Sequence, residues 1–492
     1  MKRILMIIFL SLITAVIAKA QWSVDSIATP ATYLLTGHTS SKVVFTNGTE
    51  WNVFDVNTHA HTSGLLAVGR SLAEVVHYGE KVYVGGGKYG SFADPVYTKY
   101  VDVYNAATNT WSTLNLSKAR EVGGAGAIGN KIVFAGGSGR DFGGPVYLYN
   151  KVDIFDATTG ARTTGKISKA RSNISVGAAG NKIVFAGGWY WDMMYNVLQS
   201  NVADIYNVST NTWSKALLSK KRESIGVAVI GDKIIFAGGV GGAMGGAVNN
   251  VDIYNSTTNI WTTSVLPAAR YGMISAVVGT KAYFGGGIGG AANAIYVYES
   301  TTNTWSTLIM PVTLSNYSIT AINGKVYFAG GYDATGGVFS NLVQVYDPVA
   351  NTWSNEYLSQ ARSYVCATTV GSVGIFAGGT KAPSYPATYS NRVDFFIAPL
   401  RTAFEELNTN SEMFELSIFP NPAVNELQIL IDNENILPAK CFIYDRLGHM
   451  AMNFILYDKT EVIQIGDLPV GTYIISVAGR TGTDNVKTFI KK

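Results

Sequence analysis

Cysteine, histidine and charged residues are all scarce in this chain of 492 residues. Its two cysteines, Cys366 and Cys441, fall in segments that look like different domains, so disulfide bonds are not expected to hold the fold together. Five histidines offer few ligands for a metal site. The charged fraction is 14% and the net charge is only +4, so a nucleic-acid-binding role, which needs a basic surplus, receives no support.

Long apolar runs are missing after the first twenty residues. Those residues carry Lys2 and Arg3, then an apolar run over 4–17, then the small-residue ending Ala-Lys-Ala at 18–20. This order is typical of a secretory signal peptide, and the apolar run is shorter than the roughly 20 residues of a transmembrane helix. We therefore expect a signal peptide over residues 1–20 and a mature chain that is soluble after export, without a transmembrane segment.

What the chain has in abundance is glycine, and much of it lies in a repeat. Seven short apolar runs end in a glycine pair and recur every 44 to 51 residues. The runs are KVYVGGG (81–87), KIVFAGG (131–137), KIVFAGG (182–188), KIIFAGG (233–239), KAYFGGG (281–287), KVYFAGG (325–331) and GIFAGG (374–379). A period of this length with strand-like content indicates a series of equal β units.

Each unit predicts four strands. In residues 120–168, a small apolar strand leads to the KIVFAGG strand, then to VDIFD (152–156) and to a weaker fourth strand. Four strands in about fifty residues match one blade of a β-propeller. In most units a tryptophan opens the fourth strand, and it is large enough to fill the wedge between sheets. These tryptophans are Trp111, Trp213, Trp261, Trp305 and Trp353.

The blade count depends on the two ends of the repeat. KVVFTNG (42–48) is a degenerate copy of the glycine-pair strand, and it adds a unit before the first pair. The last unit (362–398) has three strands, and Gln21-Trp22-Ser23 supplies the fourth, which would close the ring. This arrangement favours eight blades. The alternative is seven blades, with residues 30–68 packed outside the ring.

The glycine pair, the aromatic residue near Tyr104 and its equivalents, and the tryptophan that follows together resemble the kelch repeat, over about residues 22 to 398. The resemblance implies an all-β, kelch-type β-propeller over 21–399. Copper-radical oxidases of the galactose-oxidase type have a similar propeller, but they need histidines, tyrosines and a cross-linked cysteine. Here the histidines cluster at one end of the repeat region, and Cys366 is its only cysteine. His59 and His61 could share a strand face, yet a third ligand is not evident. We expect neither a metal nor another cofactor.

A second domain follows the repeat. Residues 400–414 are polar and acidic and predict a linker, and 415–492 alternate apolar and polar residues between Gly and Pro turns, which predicts a small β-sandwich. Its F-P-N-P (419–422), L-P-x-G-x-Y (468–473) and terminal lysines resemble the C-terminal sorting domain of the Bacteroidetes type IX secretion system. The resemblance implies the type IX machinery as a partner and an extracellular protein, either released or attached to the outer-membrane surface.

Arginines recur sixteen residues before the first glycine of their pair, where the chain enters the innermost strand of a blade. In a propeller they would ring one mouth of the central channel and favour an anionic ligand, because Arg presents paired donors. The alternative is that they bind carbonyl groups of neighbouring blades. The six candidates are Arg70, Arg120, Arg171, Arg222, Arg270 and Arg362.

The loops between second and third strands open on the same face as these arginines. The most aromatic of them carries Trp189, Tyr190 and Trp191, a composition that suits sugar rings or protein partners. The alternative is a loop that packs over its own blade. These three residues complete the set of candidate ligand-binding residues.

The favoured function is a secreted or cell-surface propeller that binds glycan or protein ligands without catalysing a reaction. The alternative is a carbohydrate-acting enzyme, such as a sialic-acid epimerase-like kelch protein, with Glu121 or Glu223 as acid or base. Binding is preferred because no paired catalytic constellation stands out, so no catalytic residue is assigned.

Overall fold

A computed structural model describes residues 21–91, 94–140, 144–194, 196–241, 245–382, 387–397, 414–445, 450–478 and 484–492. The described residues divide into two compact units, one up to residue 397 and one from residue 414 onward. The predicted signal peptide, and the predicted linker up to residue 413, lie outside the described residues. In the described part of the chain, no helix is long and apolar enough to cross a membrane.

Eight four-stranded antiparallel sheets, here blades 1 to 8, build the first unit. The strands up to the end of blade 4 are β1 (Gln21–Ser26); β2 (Leu35–His38), β3 (Lys42–Thr46), β4 (Glu50–Asp55) and β5 (His61–Leu65) in blade 1; β6 (Glu74–Tyr78), β7 (Lys81–Gly85), the hairpin β8 (Lys88–Gly90) and β9 (Pro95–Tyr97), β10 (Tyr100–Asn105) and β11 (Thr110–Asn115) in blade 2; β12 (Gly124–Ile128), β13 (Lys131–Ala135), the hairpin β14 (Ser138–Gly139) and β15 (Tyr147–Leu148), β16 (Lys151–Asp156) and β17 (Arg162–Lys166) in blade 3; and β18 (Ser175–Ala179), β19 (Lys182–Ala186), the hairpin β20 (Trp189–Trp191) and β21 (Val197–Gln199), β22 (Val202–Asn207) and β23 (Thr212–Leu217) in blade 4.

The remaining blades repeat the same order of strands, and β1 completes blade 8. Their strands are β24 (Gly226–Ile230), β25 (Lys233–Ala237), β26 (Asn250–Asn255) and β27 (Trp261–Val265) in blade 5; β28 (Ile274–Val278), β29 (Lys281–Gly285), β30 (Ala294–Glu299) and β31 (Thr304–Ile309) in blade 6; β32 (Ser318–Ile322), β33 (Lys325–Ala329), the hairpin β34 (Tyr332–Asp333) and β35 (Val338–Phe339), β36 (Leu342–Asp347) and β37 (Thr352–Tyr357) in blade 7; and β38 (Cys366–Val370), β39 (Val373–Ala377), the hairpin β40 (Thr380–Ala382) and β41 (Thr388–Tyr389) and β42 (Arg392–Ile397) in blade 8.

The second strand of a blade is apolar throughout because the blade is packed between two neighbours. In β13, Ile132 and Phe134 pack with the apolar residues of blade 2, whereas Val133 packs with Ile183 and Phe185 of blade 4. Alternate side chains of one strand therefore serve two interfaces, which explains why the run shows no polar positions.

The blades form a ring. Each innermost strand lies beside the innermost strand of the next blade, and β38 of blade 8 lies beside β2 of blade 1. The second glycine of a pair donates its N–H to a carbonyl of the following blade, as from Gly137 to Arg171 at 2.8 Å, and Gly379 donates to Ala31 at 2.8 Å to link the last blade to the first. The predicted eight-bladed propeller is confirmed, rather than the seven-bladed alternative.

The glycine pair is required by its backbone conformation and by close approach of the neighbouring blade. Gly136 and Gly137 have φ values of 64° and 100°, in the region that L side chains avoid. A β-carbon at Gly136 would lie 2.6 Å from the carbonyl oxygen of Arg171. The pair thus lets two blades meet at a distance that other residues would prevent.

Blade 8 is completed by the N-terminal strand, as predicted. Strand β1 pairs antiparallel with β42 from Gln21 opposite Ile397 to Ser26 opposite Arg392. The Trp22 ring packs 4.7 Å from that of Phe396, and its indole N–H donates to Glu356 of blade 7 at 2.9 Å. The closing strand therefore binds two blades at once.

The tyrosine of the third strand and the tryptophan of the fourth strand form one structural unit around the turn that joins these strands. The Tyr104 hydroxyl donates to Asn109 at 2.8 Å, and Asn109 has a left-handed φ of 54°, which asparagine tolerates. Trp111 then packs with its ring centre 5.3 Å from that of Tyr104. The same Tyr–Asn bond, at 2.8 Å, recurs in four other blades, between residues 206 and 211, 254 and 259, 298 and 303, and 346 and 351.

The second unit is a β-sandwich, as predicted. A three-stranded sheet and a four-stranded sheet enclose a core that includes Leu427, Cys441 and Ile475, all 0% exposed. The strands are β43 (Leu416–Phe419), β44 (Glu426–Ile431), β45 (Ala439–Asp445), β46 (Met450–Leu456), β47 (Thr460–Gln464), β48 (Gly471–Ala478) and β49 (Asp484–Lys491), with a 3₁₀ turn at Glu434–Ile436.

Candidate functional site

The six repeating arginines lie inside the blades, each at most 3% exposed. Five of them form an ion pair with the aspartate in the middle of the third strand of their own blade. The shortest N–O distances are 2.7 Å for Arg70–Asp102, 2.8 Å for Arg120–Asp153, 2.7 Å for Arg171–Asp204 and 2.5 Å for Arg222–Asp252, and Arg362 pairs with Asp394 in the same way.

In blade 4, the other donors of the Arg171 guanidinium group bind main-chain carbonyls. Its Nε donates to the carbonyl of Gly187 at 2.9 Å and its Nη2 donates to the carbonyl of Phe185 at 2.9 Å. The second carboxylate oxygen of Asp204 accepts the N–H of Ser168 at 2.9 Å. Because both buried charges, on Arg171 and on Asp204, have a partner of opposite charge and further hydrogen bonds, the ion pair is stable in the interior.

Burial acts on the charge state of these arginines. It lowers the pKa of Arg171, and Asp204 opposes that shift. In blade 5, burial lowers the pKa of Arg222 to about 10, again opposed by its aspartate. A pKa near 10 still leaves the guanidinium protonated at neutral pH, so the buried pairs remain ionic.

Where the arginine is missing, the aspartate is missing too. Blade 7 has Leu314 with Gln344, and blade 1 has Ala31 with Asn52. The neutral Gln344 still accepts a main-chain N–H, that of Val312, at 2.8 Å, as the aspartates do in the other blades. The joint exchange indicates that the two residues act as one structural unit, since a lone buried carboxylate would be destabilising.

Blade 6 keeps the arginine but replaces the aspartate by Tyr296. The guanidinium carbon of Arg270 lies 4.8 Å from the centre of that ring, a cation–π contact. Its nitrogens donate to the carbonyls of Gly289 and Ala294, each at 2.7 Å. Arg270 is therefore satisfied inside its blade like the others.

These positions correct the expectation of arginines that face a ligand. The constant offset does place them at one level of the ring, but the donors are used inside the sheets. The carbonyls that Arg171 binds belong to its own blade, so the alternative of bonds to neighbouring blades is also replaced. The sequence signal that was missed is the aspartate in the third strand, which is present in five of the six blades that have the arginine. It is the second residue of VDVYN (101–105), VDIFD (152–156), ADIYN (203–207), VDIYN (251–255) and VDFFI (393–397).

The surface at this mouth is formed instead by the residues that follow the arginine. The second residue after it, or after its equivalent, has a left-handed φ in seven blades, at Tyr33 (52°), Leu72 (55°), Asn173 (52°), Ser224 (51°), Gly272 (65°), Asn316 (54°) and Tyr364 (54°). Main-chain hydrogen bonds join two pairs of these turns across blades, from Tyr364 N–H to the Asn316 carbonyl at 3.0 Å and from Gly272 N–H to the Ser224 carbonyl at 2.9 Å. We call these seven residues the mouth turns.

The aromatic hairpin β20–β21 starts directly beside a mouth turn. Trp189 exchanges two main-chain hydrogen bonds with Ser172, at 2.9 and 3.0 Å, so the hairpin and the turn share one face. The rings of Trp189 and Trp191 lie 5.4 Å apart, and the Lys169 ammonium lies 2.9 Å from the centre of the Tyr190 ring. All three aromatic residues are half-buried, so each packs partly on the protein and leaves part of its ring exposed to solvent.

Three family models match the chain. The KLHDC2/KLHL20/DRC7 Kelch-repeats domain covers residues 73–287, the Kelch motif covers 313–356, and the Secretion system C-terminal sorting domain covers 417–492. The chain thus carries kelch repeats and a C-terminal sorting domain, which together support a secreted kelch protein. No curated protein matches it.

The glutamates considered for an enzyme are engaged at the mouth of this kelch propeller. Glu121 accepts from the Ser138 hydroxyl at 2.7 Å and forms an ion pair with Lys88 at 2.5 Å. Glu223 accepts from the Asn173 side chain at 2.8 Å. Among the described residues, no group of three or more His, Cys, Asp or Glu side chains could hold a metal ion.

The innermost strands of the kelch propeller carry two titratable groups with strongly shifted pKa values. Burial raises the pKa of Glu74, on β6, to about 7. Burial, and then the neighbouring His38, lowers the pKa of His77 to about 4. The His38 and His77 rings lie 4.1 Å apart on adjacent blades. Both histidines are therefore neutral at pH 7, and Glu74 titrates near it.

Proposed function

We propose that this kelch protein is an extracellular binding module that recognises glycan or protein ligands through the face that carries the mouth turns and the β20–β21 hairpin. The observation that supports this most is the hairpin itself. It presents half-exposed Trp191 and Tyr190 beside the fully exposed Met193 and Met194 on a four-stranded blade. Aromatic and Met side chains on a rigid support are typical of recognition surfaces.

Because the repeating arginines are buried, we expect ligands to bind through aromatic and polar contacts rather than through these guanidinium groups. With Arg171 and its equivalents used inside the blades, they offer no guanidinium to an anionic ligand. Aromatic side chains supply large contact areas at small conformational cost, whereas polar groups at their edges set orientation. The non-enzymatic function is kept because neither Glu121 nor Glu223 stands free beside a second acid or base.

The sorting tail supports an extracellular site of action. A C-terminal domain of this kind directs the chain to the type IX secretion machinery, which we propose as its export partner. We further propose that the protein acts after release or while attached to the outer-membrane surface.

The test is a binding screen with the full chain, against arrays of neutral and anionic glycans and against extracellular proteins. Trp191→Ala and Tyr190→Ala should each abolish or strongly weaken any interaction found. Val338→Ala, at an exposed site of the equivalent hairpin in blade 7, is the matched control and should leave binding unchanged. Binding that survives both aromatic substitutions, or a screen without any ligand, would refute the proposal.

A further inference from the structure

Two adjacent blades carry tyrosine at a mouth turn, where the other blades carry mostly small or amide residues. Asn173, Ser224 and Asn316 hold the left-handed conformation with side chains that tolerate it, but Tyr33 and Tyr364 hold it with bulky rings. A bulky residue in this conformation is strained, and such strain is concentrated at functional sites. Because blades 8 and 1 meet where the ring closes, the two tyrosines are neighbours.

The two rings form a surface with a third tyrosine. The centres of Tyr33 and Tyr364 lie 5.1 Å apart at an interplanar angle of 47°. On the blade 8 hairpin, Tyr389 lies opposite Thr380, which bridges to Ser363 beside Tyr364. Their exposed fractions are 69%, 39% and 42% for Tyr33, Tyr364 and Tyr389. We call these three residues the tyrosine cluster.

The contacts of the tyrosine cluster run through uncharged rings and hydroxyl groups. The Tyr33 and Tyr364 rings pack on each other, and Thr380, which bridges to the Tyr364 turn through Ser363, donates its hydroxyl to that of Thr32 at 3.4 Å. Partial burial, and then the other two tyrosines, raise the pKa of Tyr33. These contacts supply hydroxyl groups and ring faces to a ligand.

We propose that the tyrosine cluster is a subsite for a neutral pyranose unit of a glycan, an inference that rests on the proposed binding function and narrows it to one ligand class. A pyranose ring has C–H faces that pack on aromatic rings and hydroxyl edges that exchange hydrogen bonds with Tyr and Thr. Tilted, exposed rings with hydroxyl groups at their rim complement both features. A charged sugar or peptide would gain nothing from the neutral rim.

The internal repeat supplies variants that separate binding from folding. Tyr33→Asn and Tyr364→Asn install the residue that blades 4 and 7 use at the same turn, so they relieve the strained tyrosine conformation. Each should weaken glycan binding about tenfold or more while Tm stays equal or rises. Tyr357→Asn makes the same exchange at an exposed site on the fourth strand of blade 7, outside the mouth turns, and should leave binding unchanged.

The probes are maltohexaose, cellohexaose, mannohexaose and chitohexaose, with sialylated and sulfated oligosaccharides as anionic counterparts, titrated against the full chain by calorimetry. We expect binding of at least one neutral probe, lost in Tyr33→Asn and Tyr364→Asn. Lys381→Ala, beside Thr380, should leave this binding unchanged because the ligand is neutral.

Four outcomes would overturn the inference. Binding of anionic oligosaccharides alone, or of proteins alone, would refute the neutral-glycan subsite and leave the broader binding function standing. Neutral binding that Tyr33→Asn and Tyr364→Asn leave intact, while Tm falls, would assign the tyrosine cluster a packing role only. A chain that binds neither glycans nor proteins would end both proposals.

Discussion

Replacing Arg171 alone should destabilise the propeller far more than replacing Arg171 and Asp204 together. In Arg171→Leu the Asp204 carboxylate stays buried, 3% exposed, without its guanidinium. Removing one partner of a buried ion pair costs about 3–5 kcal/mol because a charge is left in the interior. The double variant Arg171→Leu/Asp204→Gln reproduces the Leu314–Gln344 pair of blade 7, whose glutamine satisfies a main-chain N–H.

We therefore expect the double variant to recover about 2 kcal/mol or more of the loss caused by Arg171→Leu. The measurement is urea denaturation of the parent, both single variants and the double variant, followed by tryptophan fluorescence. Arg270→Leu is the comparison, since it strands no carboxylate and should cost less than Arg171→Leu. Strictly additive losses in the four-protein cycle would refute the reasoning, because they would mean that the two side chains are not coupled.

Three further predictions concern backbone, pH and closure. Gly137→Ala should destabilise by about 3 kcal/mol or more, since its β-carbon would overlap the carbonyl oxygen of Glu121, whereas Gly231→Ala, with open space around it, should cost about 1 kcal/mol in the same denaturation assay. Glu74→Gln should raise Tm at pH 8 and leave it unchanged at pH 4. The pKa of Glu74 is raised to about 7 in the folded protein, so ionisation of this carboxyl lowers stability as the pH rises above the pKa of the unfolded chain, and the loss is complete above about pH 7. Equal shifts of Tm at both pH values would contradict this. Trp22→Ala should cost about 3 kcal/mol and expose the N-terminal strand to limited proteolysis, since Trp22 packs on blade 8 and bonds to blade 7; proteolysis at the parent rate would argue against a closing role.

Periodicity gave a sound prediction of the architecture. The glycine pairs located the second strand of seven blades. The shortage of strands in the last unit predicted that Gln21-Trp22-Ser23 would complete it, and the strand observed there is Gln21–Ser26. Repeats are predictable in this way because each copy must make the same contacts with its neighbours, so one physical constraint is written many times. The degenerate first unit was recognisable by alignment to those copies.

The candidate site was predicted less well. Spacing in the sequence places the arginines at the same position in each blade, but it does not show whether their side chains are exposed or buried. The arginines recur at the expected level, yet their aspartate partners hold them inside the sheets. The aspartates were visible in the sequence as the second residue of third-strand runs such as VDVYN (101–105) and VDIFD (152–156), and their loss together with the arginine in blades 1 and 7 was a signal of pairing. Tyr33 and Tyr364 were missed because neither shows that its backbone is left-handed, as a glycine would have suggested.

The most direct test of the account compares ligand binding by two variants of the same full chain. Arg171→Leu/Asp204→Gln removes an arginine while keeping its blade folded, and Trp191→Ala removes an aromatic residue from the hairpin beside it. If the aromatic face is the binding surface, the first variant binds any ligand from the glycan and protein screens as the parent does, and the second loses it. Loss of binding in the arginine variant, with Trp191→Ala unaffected, would contradict the account.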